Sequence, residues 1–123
     1  MQYLIRSTLP ISLFVCLTPM FGFAESWSGV LVDSKCYDSA ARNVNPWEPY
    51  RDQAMDVRLC HPTLRTKTFA IVQADWLRLK LDSSVNAEAA ELVRANKKSY
   101  LGVVITGERN KDIVQVQSIA AAK

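Results

Sequence analysis

The fold is decided around one stretch, Trp76-Leu77-Arg78-Leu79-Lys80-Leu81-Asp82, in which apolar and charged side chains alternate from Leu77 onward. Alternation with a period of two predicts a strand with one buried face and one solvent-facing face. The preceding segment, residues 66–73, is apolar and rich in β-branched residues, so it predicts another strand. Only Ala74 and Asp75 separate the two segments, and we therefore expect an antiparallel hairpin.

Working outward from this hairpin, three further strands and a helix are predicted. They are strands over 27–33, 99–107 and 113–119 and a helix over 87–96, with Asn86 as its N-cap. Gly29 indicates a bend or bulge in the first strand, where Val30 and Val32 share one face. A turn is expected over 109–112. The long connection over 34–66 is expected to be irregular, except for a short helix over 49–60.

The order of these elements is strand, long loop, strand, strand, helix, strand, strand. Five strands with one helix between the third and the fourth is the connectivity of the OB-fold. We therefore predict a mostly β domain with one helix, folded as a five-stranded OB-like Greek-key barrel over residues 25–123. The apolar fraction of 49% and the charged fraction of 22% are globular values, which exclude a disordered or collagen-like chain. A formal charge of +3 favours no strongly charged partner.

The first 24 residues are typical of a secretory signal peptide. Arg6 precedes a short apolar run over 11–17, and the small residues Gly22 and Ala24 suit cleavage after Ala24. The run is shorter than the roughly 20 residues that cross a bilayer. A lipoprotein signal needs a small residue before its cysteine, whereas Val15 precedes Cys16. We therefore predict a periplasmic or secreted protein with no membrane span after cleavage.

Export would leave two cysteines, Cys36 and Cys60, and an oxidising compartment favours a disulfide between them. The bridge would tether the loop over 34–62. A redox or metal-dependent protein that uses Cys36, Cys60 and His61 is the alternative hypothesis. Against it, redox pairs more usually show a Cys-x-x-Cys spacing, and three ligands with no spaced second pair are a weak metal signal.

The ends of the domain carry a resemblance. The opening segment over 27–36, the second cysteine before Thr66-Lys67-Thr68-Phe69-Ala70, and the closing segment over 103–119 are together similar to small exported bacterial OB-fold-like domains of uncharacterised function. The resemblance implies a periplasmic or secreted barrel and brings no catalytic residue and no cofactor. One departure is the pair Asp75-Trp76, where such a hairpin would often turn on Asp-Gly. We expect a wider turn there, with Trp76 exposed or packed on the barrel rim.

No catalytic constellation follows from the sequence. His61 is the only histidine in the sequence, and it is followed by Pro62. We therefore do not predict a catalytic triad of serine, histidine and aspartate. Asp33 and Asp38 are candidates for a carboxylate pair, although carboxylates in loops are normally just solvated. We predict no catalytic residue, no metal and no cofactor.

Binding is the function that we expect, with a small molecule or a protein as the partner. Aromatic and arginine side chains are common anchors in recognition sites. The candidate binding residues are Tyr37, Arg42, Trp47, Tyr50, His61, Arg78 and Lys80. Trp47 and Tyr50 have a second interpretation, as a cover over the open side of the barrel.

We do not expect single-stranded nucleic acid to be a partner. Lys67, Arg78 and Lys80 would supply charge, and Phe69, Trp76 and Tyr100 would stack on bases. Export, the small net charge and a core role for Phe69 argue against it. The basic pair Lys97-Lys98 is expected to be solvated charge at a helix end.

Overall fold

The computed structural model describes residues 24–42, 52–98 and 100–123. Of the predicted signal peptide, only Ala24 lies within the described residues. The elements are β1 (Glu25–Asp33), α1 (Ser34–Arg42), α2 (Gln53–Leu59), β2 (Phe69–Val72), β3 (Arg78–Leu81), a 3-10 helix (Ser83–Val85), α3 (Asn86–Ala95), β4 (Gly102–Asn110) and β5 (Ile113–Ala121).

The five strands form one closed barrel in the order β1-β2-β3-β5-β4, and β4 returns to β1. The pairs β1–β2, β1–β4, β2–β3 and β4–β5 are antiparallel. A short parallel pairing of β3 with β5 completes the circle, with Lys80 opposite Ile113 and Leu81 opposite Val114. This topology confirms the prediction of a mostly β, five-stranded barrel of OB-like type.

Asp82 stabilises the closure between β3 and β5. Its Oδ1 accepts a hydrogen bond from the Val116 amide at 2.8 Å, and its own amide donates to the Val114 carbonyl at 3.1 Å. Partial burial raises the pKa of this carboxyl, but hydrogen bonds from the Val116 amide and from the hydroxyl and amide of Ser84 outweigh burial. The pKa of Asp82 is therefore lower than its ordinary value, and the charged form is the one that binds β5.

Gly29 lies where β1 changes partners, because Val30 is the residue that pairs both with Gly102 of β4 and with Val72 of β2. A Cβ at Gly29 would lie 2.6 Å from the carbonyl oxygen of Val72. Only glycine allows the two backbones to approach this closely. The glycine that was expected to mark a bend or bulge therefore marks the place where β1 changes pairing partners.

Two apolar clusters hold the domain together. The interior core fills the barrel and consists of Leu31, Phe69, Ile71, Leu79, Leu81, Val85, Ala89, Leu101, Val103, Ile105 and Val114. The outer cluster lies between the outer face of β1 and β2 and the helices α1 and α2; its buried members are Val32, Tyr37, Val57, Cys60, Ala70 and Val72, and Val30 and Cys36 pack against it. Val30 and Val32 share a face as predicted, and that face is the one the helices cover.

The helix α1 was not predicted, since an irregular chain is expected after the first strand. Asp33 explains the difference. Its Oδ1 accepts a hydrogen bond from the Cys36 amide at 3.1 Å, which is the bond that an N-cap residue makes. Its Oδ2 accepts from the Thr66 hydroxyl at 3.0 Å. Because Asp33 also ends β1, its role as a cap is not visible in the strand pattern.

The remaining elements differ from the predictions mainly at their ends. β2 begins at Phe69 because Thr66 lies in a turn, in which its amide donates to the Thr63 carbonyl at 3.1 Å. β4 extends to Asn110, so the turn before β5 contains only Lys111 and Asp112. The prediction that Asn86 caps α3 is wrong. The 3-10 helix leads directly into α3, and the Asn86 side chain instead donates to the Lys67 carbonyl at 3.0 Å.

Candidate ligand-binding groove

An apolar cavity of about 550 Å³ opens on the outside of the barrel, beside α2. We call it the groove. Its lining residues are Ser28, Gly29, Val30, Ala54, Val57, Arg58, Val72, Gln73, Ala74, Trp76 and Tyr100. Concave, mostly apolar sites of roughly 300–1,000 Å³ are the usual size for small-molecule binding.

The groove lies beside α2, which is a short helix. The helix α2 has only 7 residues, which is about 10 Å of length at 1.5 Å per residue. Val57 of α2 is buried against the outer face of the sheet. Val30 and Val72, on the outer face of β1 and β2, form the floor of the groove, and Val72 is only 3% exposed.

Trp76 forms one rim of the groove from an unfavourable backbone conformation. The Gln73 amide donates to the Leu77 carbonyl at 3.0 Å, and the Trp76 amide donates to the Gln73 carbonyl at 2.8 Å, which encloses residues 74–76 in a three-residue loop. The last residue of such a loop is left-handed and favours glycine. Trp76 has φ of 69° there, while its side chain is 44% exposed. The structure thus confirms that this turn is wider than a two-residue Asp-Gly turn and that Trp76 is exposed.

Tyr100 and Arg58 give the groove its polar edges. Tyr100 is 53% exposed and lies just before β4. Arg58 is the only charged residue among those that line the groove, and none of the described lining residues is acidic. A ligand with an apolar body and no positive charge therefore suits this surface.

The predicted disulfide is present and fixes one wall of the groove. The Cys36 and Cys60 sulfurs are bonded, with their Cα atoms 5.5 Å apart. Cys36 lies in α1, and Cys60 ends α2 as its C-cap. The bond therefore joins the two helices that cover the outer cluster. While it is intact, neither sulfur is a thiolate that can bind a metal or attack a disulfide.

The structure separates the candidate binding residues rather than gathering them in one site. Tyr37 is a residue of α1, is 2% exposed and belongs to the outer cluster, so its side chain is buried between α1 and the sheet. His61 is half-buried just after α2. Trp47 and Tyr50 lie outside the described residues, so their predicted roles stay predictions.

The three basic candidates do not line the groove. Arg42 and Lys80 line a smaller cavity of about 270 Å³ together with Asp38. Arg78 forms ion pairs with Asp38 at 3.2 Å and with Asp112 at 3.0 Å. A phosphate would compete with these two carboxylates for Arg78. Of the three residues predicted to supply charge for nucleic-acid binding, Arg78 is thus already engaged within the protein.

The structure also shows the contacts of Phe69 and of the two carboxylates Asp33 and Asp38. Phe69 is 1% exposed in the interior core, as predicted, and so is not a stacking surface. Asp33 caps α1, whereas Asp38 pairs with Arg78. The two carboxylates therefore have separate partners, and the hypothesis of a carboxylate pair is not supported by their contacts.

The groove itself was missed by the sequence analysis. Trp76 and Tyr100 are 24 positions apart in the sequence, and nothing in the sequence pattern links one to the other. The available signal was the tryptophan of Asp75-Trp76, at a turn position where glycine is expected. In the sequence, Val30, Val57 and Val72 have the pattern of ordinary buried apolar residues.

The topology defines the class of the protein as a closed five-stranded barrel of OB-like type. No protein-family model matches the chain, and comparison with curated proteins and with solved structures yields no match. The class therefore rests on strand order and pairing alone, and fold by itself does not specify function.

Proposed function

We propose that the protein is an exported, non-catalytic binding module that holds a small apolar molecule in the groove. The observation that carries the proposal is Trp76, which lines the groove with an exposed indole on a left-handed backbone. Such strain costs on the order of 1–3 kcal/mol and is concentrated at functional sites. Glycine would remove the strain, but it would also remove the largest apolar side chain from the groove.

The shape of the surface favours a small molecule over a protein partner. The groove is concave, and its floor is the covered face of β1 and β2 rather than a protruding patch. Standard protein interfaces bury about 800 Å² on each partner, which is more than a single cavity of this size offers. The tethered loop 34–62 supplies Ala54, Val57 and Arg58 to the wall, so the loop takes part in binding through α2.

Export agrees with three features of the chain. Cleavage after Ala24 would leave β1 complete, because β1 begins at Glu25, which pairs with Gly107 of β4. The bond between Cys36 and Cys60 suits an oxidising compartment. Within residues 24–42, 52–98 and 100–123, no helix combines the length and apolarity that crossing a bilayer requires. The intact mass of the exported protein tests the cleavage site.

The binding proposal is tested with N-phenyl-1-naphthylamine, an uncharged probe that fluoresces in apolar surroundings. We expect saturable binding of one probe to the wild-type protein. Trp76→Ala removes one rim, and Ala54→Phe fills the groove from α2, so both variants should weaken binding at least tenfold. Leu64→Ala is the matched control, because Leu64 is 66% exposed and does not line the groove.

The outcomes separate groove binding from unspecific adsorption. Equal affinity of all four proteins would show that the probe binds elsewhere. Absence of saturable binding to the folded wild-type protein would contradict an apolar ligand site in the groove.

A further inference from the structure

A second cavity of about 480 Å³ lies next to the groove, at the end of α3. Its lining residues are Leu92, Ala95, Asn96, Lys97, Lys98, Tyr100, Leu101, Gly102, Ala121, Ala122 and Lys123. We call it the basic cavity, because three of these residues are lysines. Tyr100 lines the basic cavity as well as the groove, so only one residue separates the two cavities. The two cavities therefore adjoin at Tyr100, and we treat them as two compartments of one candidate site.

The two compartments differ in charge. The groove is apolar apart from Arg58 and a few small or neutral polar residues, whereas Lys97, Lys98 and Lys123 line the basic cavity. None of the side chains of the described residues that line either compartment is acidic. The ion pairs found within the described residues involve Arg78 and Arg94, and none involves Lys97 or Lys98.

We infer that the ligand is a single anionic amphiphile, with its apolar chain in the groove and its anionic head, such as a carboxylate, beside Lys97 and Lys98. The inference rests on the proposed function, since the apolar chain occupies the same groove. Charge complementarity selects the head: two unpaired ammonium groups attract an anion and repel a cation. The concave groove selects one molecule, because a membrane surface would meet protruding side chains rather than a cavity.

The two lysines also lie just beyond α3, where positive charge stabilises a helix end. That role alone predicts a change in stability when the lysines are replaced. It predicts no preference between an anionic and a neutral ligand. Ligand preference is therefore the measurement that separates binding from helix stabilisation.

The experiment measures displacement of N-phenyl-1-naphthylamine by decanoate and by 1-decanol, each below its aggregation concentration and at low ionic strength. We expect decanoate to bind about tenfold more tightly than decanol, which corresponds to about 1.4 kcal/mol. Lys97→Glu with Lys98→Glu should abolish this preference and leave decanol affinity unchanged. Lys67→Glu with Lys111→Glu is the control, because it changes the net charge equally at exposed residues that line neither compartment.

Each other outcome overturns the inference in a distinguishable way. Equal affinity for decanoate and decanol in the wild-type protein would refute the anionic head while leaving the groove as an apolar site. An equal loss of the preference for decanoate in both double variants would refute it in the same way. Probe binding without displacement by either compound would refute an amphiphile of this kind. Binding to anionic vesicles but not to monomeric decanoate would assign the site to a membrane surface. Failure of the probe itself to bind would refute the proposed function.

Discussion

Replacing Trp76 by alanine and by glycine separates the two consequences of this residue, ligand contact and backbone strain. Both substitutions remove the indole, so both should weaken binding of an apolar ligand to the same extent. The exposed 44% of the side chain is about 110 Å² if a tryptophan offers roughly 250 Å². At about 25 cal/mol per Å², full coverage by a ligand corresponds to about 3 kcal/mol, or a loss of up to roughly a hundredfold.

The two variants should differ in stability, because alanine keeps a Cβ on the left-handed backbone and glycine does not. We expect Trp76→Gly to be more stable than Trp76→Ala by about 1 kcal/mol. For a domain of this size, that difference raises the melting temperature by about 4–8 °C. Guanidinium denaturation with the disulfide intact measures the free energy of unfolding, and titration with the fluorescent probe measures affinity.

Lys111 provides the matched control, since its φ of 61° is the other positive value of a non-glycine residue in the described chain. It is exposed and lines no part of the groove. Lys111→Gly should therefore exceed Lys111→Ala in stability by a similar amount, with probe affinity unchanged in both. The reasoning is refuted if Trp76→Gly and Trp76→Ala are equally stable while the Lys111 pair differs, or if both Trp76 variants bind the probe as the wild type does.

Two further predictions concern the bonds that hold the barrel and its helical cover. Asp82→Asn should lower the free energy of unfolding at pH 7 by about 1 kcal/mol, because a neutral acceptor replaces the carboxylate that binds Val116. Since the folded pKa of Asp82 lies below its ordinary value of 3.8, the contribution of the charge is present above that pH and is lost as the pH falls through the folded pKa. Denaturation at pH 7 and below pH 3 checks this, and an equal difference at both pH values would contradict it. Replacing Cys36 and Cys60 together by alanine should cost about 3 kcal/mol of stability and weaken probe binding, since α2 is released from α1; a protein of unchanged stability would refute the role assigned to the bond.

The barrel was predictable because its signals are local. The alternation from Leu77 to Asp82 and the β-branched run before it place two strands, and the spacing between them allows only a tight connection. The pairing of Cys36 with Cys60 followed from counting the cysteines that remain if the predicted signal peptide is removed. The order of the five strands then left the OB-like closure as the expected topology, and the structure has it.

The candidate site was not predictable in the same way, because its parts are distant in the sequence. Val30, Val57 and Val72 carry the same apolar signal as core residues, and only the packing of α2 beside β1 and β2 makes them the border of a cavity. Tyr37 shows the converse: it was a candidate for binding, yet the packing of α1 buries it. Whether an apolar side chain is covered depends on the reach of a neighbouring element, which no local pattern records.

The amino-acid sequence by itself determined the five strands, helix α3, the bond between Cys36 and Cys60 and the closed barrel. Each of these predictions depends on periodicity, on turn residues, on the number of cysteines or on the order of the elements. Only the tertiary structure decided that Arg78 is engaged by two carboxylates, and that Trp76 and Tyr100 border one groove. The physical reason is that these features are contacts between segments far apart in the chain. Such contacts exist only once the barrel has closed and the helices have packed on its outer face.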